Sequence, residues 1–192
     1  MAQGVILAAG LSSRAKTNKM LLSYNDRPVI NHTIECMLPF VEKIIVVTGH
    51  YHKEINNVIK KYEKVIVVKN DAYLDGMFSS IQKGASFIDD DFFIVPGDMP
   101  FIHPSTYELL LKERGLIKVP TYNTFKGHPI FIDKRLIKPL LLEPVTSNLK
   151  TFRDQFHVKL ITTLDEGILK DIDTVEDIFT LNLTERNEDI GG

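Results

Sequence analysis

The strongest constraint in this chain is a rhythm: short apolar, β-branched runs separated by segments with helical spacing. The runs cover residues 5–8, 43–48, 65–68, 92–95 and 158–162, and each is nearly continuous in apolar residues. A strand that reads this way has both faces covered, as in a sheet sandwiched between helices. Between the runs, Ile30, Ile34, Met37 and Leu38 recur at i, i+4, i+7 and i+8, and Ile55, Val58, Ile59 and Tyr62 at i, i+3, i+4 and i+7. A further helix opens at Pro104, with Tyr107, Leu110 and Leu111 facing inward and Gly115 past its end. Strand and helix alternating from residue 4 to about residue 111 call for an α/β fold with a mostly parallel sheet.

The rhythm loosens after Gly115. Pro120, Gly127, Pro129, Pro139 and Pro144 break up residues 116–147, which are expected to form edge strands or a lid. A helix near residues 148–156, the last strand and a final helix opened by Thr174 and Asp177 in capping-box spacing complete the pattern. The 192 residues fit one domain over 1–184, followed by a frayed polar tail at 185–192.

Charge and cysteine content narrow the class of partner. With 23 basic and 25 acidic residues the net charge is −2, without the basic excess that a nucleic-acid binder needs. No apolar run approaches the roughly 20 residues of a membrane span. A lone Cys36 and a start, Met1-Ala2-Gln3, without signal-peptide character lead to the expectation of a cytoplasmic protein.

Two stretches and a late acidic segment carry the candidate chemistry. The first run ends in Ala8-Ala9-Gly10-Leu11-Ser12-Ser13-Arg14. Small residues at a strand's carboxyl end let backbone N–H groups approach a ligand, and the hydroxyls and forked guanidinium that follow suit a triphosphate. Lys19 is placed to reach the same phosphates as a point charge. The stretch is neither a P-loop nor a dinucleotide fingerprint, so its spacing fits an ordinary turn with a solvated arginine and lysine equally well.

Asp98, in Pro96-Gly97-Asp98-Met99-Pro100, follows a buried strand at the edge where open α/β sheets hold ligands. Beside a triphosphate it is a natural Mg²⁺ ligand; alone it also reads as an Asx turn. In an extended segment Asp171 and Asp173 point the same way, so one of them can complete a metal site with Asp98, unless both simply open the last helix. Asp177 belongs to that helix start.

Other features have blander readings. Asp75-Gly76-Met77-Phe78-Ser79-Ser80 reads as a glycine turn into a serine-capped helix that could line a base pocket. Gly127-His128-Pro129 is a kinked loop carrying an imidazole. Asp89-Asp90-Asp91 has the DxD form of glycosyltransferase metal motifs, but it precedes its strand and reads as a solvated turn. His32 and Cys36, at i and i+4, lack further ligands nearby and read as packing residues.

Taken together, Leu7 to Arg14, Lys19 before Leu21-Leu22, and Arg27-Pro28-Val29-Ile30 resemble the opening of a nucleotidyltransferase. Asn70 with Gly76-Met77 and Ser79-Ser80, Gly97-Asp98-Met99-Pro100, Gly127-His128-Pro129-Ile130-Phe131 and Asp171-Ile172-Asp173-Thr174 are similar to the MobA-like molybdenum cofactor nucleotidyltransferases, in their cytidylyltransferase-like branch. The resemblance implies a Rossmann-like three-layer α/β/α sandwich of the nucleotide-diphospho-sugar transferase type. It implies a nucleotide site at Leu7, Ala8, Ala9, Gly10, Ser12, Ser13, Arg14, Lys19, Asn70, Gly76, Ser79, Ser80 and Gly97. Arg14, Lys19 and Asp98 would be catalytic, and Asp98 and Asp173 would hold Mg²⁺. Met99, Pro100, Gly127 and His128 would face the acceptor, a phosphorylated pterin, with a client molybdoenzyme receiving the product.

Two departures qualify the match. Ala15-Lys16 stands where the family has Met-Gly, and Glu143 to Lys150 lacks the glycine-rich stretch that cytidylyltransferases carry before their late helix. The pair Ala8-Ala9, where the guanylyl branch has a glycine, favours CTP over GTP. The alternatives are a sugar-phosphate or alditol-phosphate acceptor, or a nucleotide-binding accessory protein for molybdoenzymes without turnover.

Overall fold

The computed structural model describes residues 1–11 and 18–179. In chain order the strands are β1 (Ala2–Ala8), β2 (Ser23–Tyr24), β3 (Arg27–Pro28), β4 (Val41–Thr48), β5 (Val65–Lys69), β6 (Phe92–Pro96), β7 (Ile117–Tyr122), β8 (Phe125–Lys126), β9 (Ile130–Ile132) and β10 (Val158–Thr162). The helices are α1 (Val29–Met37), α2 (His52–Ile59), α3 (Met77–Ala85), α4 (Pro104–Lys112), α5 (Ile137–Leu142) and α6 (Leu149–Arg153), with a last helical stretch over 175–179.

The main sheet runs β10-β7-β9-β6-β1-β4-β5, with β8 paired to β7. β1 lies parallel to β4 and β6, β4 to β5, and β7 to β10; β9 alone on that path is antiparallel to both neighbours. Alternate residues of each central strand enter opposite layers. Ile6, Ile44, Val46, Phe93 and Val95 pack with α1, α2 and α4, through Ile34, Ile55, Ile59 and Tyr107 among others. Val5, Leu7, Ile45, Val47 and Ile94 pack with α3, α5 and α6, through Ile81, Leu140 and Phe152. This two-sided burial explains the unbroken apolar runs. Each fully buried aliphatic side chain contributes about 1.5–3 kcal/mol. The result is the expected three-layer α/β/α architecture.

Three expectations need correction. Of the strands in residues 116–147, expected at the sheet's edge, only β8, exposed and paired with β7 alone, lies there. β7 and β9 are interior, and β9 fills the gap between β6 and β7 with Ile130, Phe131 and Ile132 all buried. Leu111 is 39% exposed and so lies off the inner face of α4, whereas Tyr107 and Leu110 are fully buried. The helix α3 is not capped by a serine: its N-cap is Gly76, at φ +104°, with no side-chain cap. Among the described residues no helix is long and apolar enough to cross a membrane.

Candidate active site

The carboxyl ends of β1 and β6 define the site. The Gly97 amide donates to the Leu7 carbonyl (2.9 Å), tying the residue after β6 to the end of β1. From α1, Thr33 Oγ1 donates to the Gly97 carbonyl (2.9 Å). A Cβ on Gly97 would lie 2.9 Å from Met20 Sδ, so glycine permits this close packing. Asp98 is thereby fixed at the sheet edge, only 6% exposed, with Oδ1 lacking any hydrogen-bond partner among the described residues.

The late segment is clamped against it. Ile172 N donates to the Asp98 carbonyl (2.9 Å), and the Ile172 side chain is fully buried with Tyr24, Val29 and Ile178. In extended backbone, burying the middle residue turns both neighbours to the opposite side. Asp171 and Asp173 therefore converge on Asp98, and the three carboxylates offer oxygens within 4.8 Å of one another. Beyond them Thr174 and Asp177 form the expected reciprocal cap: Asp177 Oδ2 accepts from Thr174 N (2.7 Å), and Thr174 Oγ1 accepts from Asp177 N (3.2 Å).

Lys19 lies among these acids, with its ammonium in contact with Asp98 Oδ2 and 2.7 Å from Asp173 Oδ1. Burial pulls its pKa down, but hydrogen bonds to Asp173 and Asp98 outweigh that and leave it above the usual lysine value. Burial, reinforced by Asp98 and Asp173, pushes Asp171 above the usual aspartate range. Three hard oxygen donors, one with an unpartnered buried atom, fit a hard divalent cation such as Mg²⁺ or Mn²⁺.

Two adjoining cavities share Lys19, Met77, Pro96 and Asp98. The first, about 300 Å³, is walled by Leu7, Ala9, Gly10, Tyr73 and Ser80. The second, about 420 Å³, is walled by Met99, Lys126, Gly127, His128, Asp171 and Asp173. Of the residues expected to contact nucleotide, Leu7, Ala9, Gly10, Lys19 and Ser80 line the first cavity, and Ala8 is buried in the strand. Asn70 and Ser79 stand behind the wall. Asn70 Nδ2 donates to Ser79 Oγ (2.9 Å) and Ser80 Oγ (3.0 Å), and Ser79 Oγ donates to the carbonyls of Ala72 and Gly76. This buried network sets where α3 begins. Ser12, Ser13, Arg14 and Lys16, like the tail at 185–192, lie outside the described residues.

On the acceptor side Met99, Gly127 and His128 line the second cavity, whereas the Pro100 carbonyl faces Cys36 Sγ at 3.6 Å. Burial lowers the pKa of His128, with the Ile94 backbone opposing, so its ring is neutral near pH 7. Reading the sequence one residue at a time makes Asp171 and Asp173 rivals; the burial of Ile172 makes them partners. Lys126 and Tyr73 carried no sequence signal at all. His32 is structural, its Nε2 2.8 Å from the Tyr24 carbonyl. A third groove of about 690 Å³ includes Asp165, whose Oδ2 is taken up by His103 N and Thr106 Oγ1.

The comparisons with known proteins agree with this geometry. The MobA-like NTP transferase domain matches residues 4–156. The chain is 28% identical over 182 residues to the molybdenum cofactor cytidylyltransferase of Escherichia coli, covering 92% of this chain and 93% of that protein. It is 34% identical over 138 residues to a probable molybdenum cofactor guanylyltransferase of Thermococcus sibiricus, covering 66% of this chain and 65% of that one. Its fold matches a nucleotidyl transferase from Methanothermobacter with a TM-score of 0.79 at 23% identity, over 94% and 95% of the two chains. With four-fifths of its length matched and an acidic cluster at the sheet's ligand-binding edge, the chain belongs to the MobA-like NTP transferase family and is a nucleotidyltransferase.

Proposed function

We propose that this enzyme transfers a cytidylyl group from CTP to the phosphate of molybdopterin, using Mg²⁺ held by Asp98 and Asp173 with Asp171 as a third oxygen donor. The observation that carries the reading is the convergence of three aspartates and Lys19 on the wall shared by two cavities. A nucleotide in the first cavity and a phosphorylated acceptor in the second would bring their phosphates together there. An acceptor phosphate oxygen attacks the α-phosphorus, the bond from that phosphorus to its β-bridging oxygen breaks, and pyrophosphate leaves with the electron pair. The attacking oxygen is already ionised near neutral pH, so the reaction asks for positioning and charge neutralisation more than for a base. When bound, the metal would supply neutralisation of phosphate charge.

The chain's own residues divide the remaining work. Asp98, held rigidly by Gly97 and Ile172, would fix the metal against the sheet edge. Lys19, already among the carboxylates, has the reach to exchange one anion for another and hold a triphosphate oxygen. Arg14 and Lys16 would neutralise the outer phosphates, and Asn70 would keep Ser80 and α3 in register as the base-side wall. CTP is favoured by the pair Ala8-Ala9 and by the Escherichia coli relative.

The test is pyrophosphate release over a grid of CTP, GTP, ATP and UTP against molybdopterin, sugar phosphates and alditol phosphates. The expected outcome is Mg²⁺-dependent release with CTP and molybdopterin. Release with a sugar phosphate instead would move the acceptor, release with GTP would move the base, and no release with any pair would overturn the reading.

A further inference from the structure

We propose that Lys126 is the cation that holds the acceptor's phosphate, making the second cavity a phosphomonoester site; this rests on the nucleotidyl-transfer reading above. The cavity wall carries three aspartates and two lysines. Lys19 is engaged with Asp98 and Asp173. Lys126 is exposed and has no carboxylate partner among the described residues. An anionic acceptor entering this cavity meets carboxylates on one side, so a cation left unneutralised by the protein is what its phosphate requires. The buried, unpartnered Oδ1 of Asp98 faces the same problem from the other side: the site is incomplete without a charged occupant.

Lys126 is also held in place. It lies on β8, paired across the hairpin with Thr121, and Asn123 and Thr124 close the turn at φ +46° and +74°. Two positive φ values match the tight hairpin turn that follows strand twist, although a β-branched threonine there is strained. On the other side Gly127 N donates to the Pro120 carbonyl (2.9 Å) and His128 N to the Ile168 carbonyl (3.0 Å). A Cβ on Gly127 would come within 2.4 Å of the Ile168 carbonyl oxygen, so only glycine lets the hairpin dock this closely. Lys126 lines the second cavity and not the first, which assigns it to the acceptor and not to the nucleotide.

The test titrates inorganic phosphate, by calorimetry, into protein loaded with Mg²⁺ and α,β-methylene-CTP. Wild type should bind phosphate, Lys126→Met should bind about tenfold or more weakly, and Lys126→Arg should recover most of the affinity. In turnover Lys126→Met should raise the acceptor KM by a similar factor while leaving the CTP KM within about twofold. Equal phosphate affinity in wild type and Lys126→Met, or no phosphate binding by wild type, would overturn the assignment. Phosphate binding that depends on Lys126 without pyrophosphate release from any nucleotide and acceptor pair would sustain the site and overturn the reaction.

Discussion

Strand β6 has three aspartates associated with each of its ends, and the two groups behave oppositely. Before the strand, Asp89 meets Gln3 Nε2 and Lys43, Asp90 meets Lys134, and Asp91 accepts from Lys134 N. After it, Asp98 is joined by Asp171 and Asp173 with Lys19 between them. A hydrogen bond from Gln3 and then the Lys43 ammonium hold Asp89 below its ordinary pKa, whereas burial and the neighbouring carboxylates hold Asp171 above its own. Each acid of the first cluster has its own donor or cation, whereas the second gathers three carboxylates around one lysine, with Asp98 Oδ1 buried and unpartnered among the described residues. Carboxylate number therefore says little about a metal site, and the placement of counter-charges says much.

The largest expected contrast is in turnover. Asp98→Asn should lower pyrophosphate release by about 10²–10³-fold or more, and Asp89→Asn should leave it within about twofold. Equal losses would erase the distinction between the two ends of the strand. Next, in metal-stripped protein near pH 7, Asp171→Asn should raise Tm by about 2 °C, because it removes an ionised carboxylate that the fold disfavours. A raised acid stabilises only while protonated, so this gain should fade as the pH drops and Asp171 takes up its proton. A fall in Tm at neutral pH would contradict the repulsion among the three acids.

The smallest effect belongs to the satisfied cluster. Asp89→Asn should lower Tm at neutral pH by at most about 2 °C, since exposed ion pairs contribute little. A depressed acid stabilises above its unfolded value, here near 3.8, and loses that contribution as the pH falls through the folded one. The difference from wild type should therefore be complete above about pH 5 and vanish in strong acid. A difference that persists at low pH would mean the contacts of Asp89 are not electrostatic.

Much of the fold was legible because parallel strands announce themselves: the runs at 43–48, 92–95 and 158–162 fall within β4, β6 and β10. The Asp98 position followed from the same logic. β9 was not legible, since a three-residue strand has no measurable period and its place between β6 and β7 is decided by long-range pairing. The joint convergence of Asp171 and Asp173 depends on Ile172 finding the cluster of Tyr24, Val29 and Ile178, a contact across about 150 residues of chain. Lys126 owes its place to a hairpin closed by Asn123-Thr124, where the sequence offers no glycine to mark a turn.

Calorimetric titration of Mn²⁺ in the presence of CTP reads the contrast between the two acidic clusters at the metal itself. One ion per chain should bind to wild type and to Asp89→Asn with the same affinity, and uptake should be lost in Asp98→Asn. Undiminished uptake by Asp98→Asn, or its loss in Asp89→Asn, would place the metal elsewhere and contradict the account.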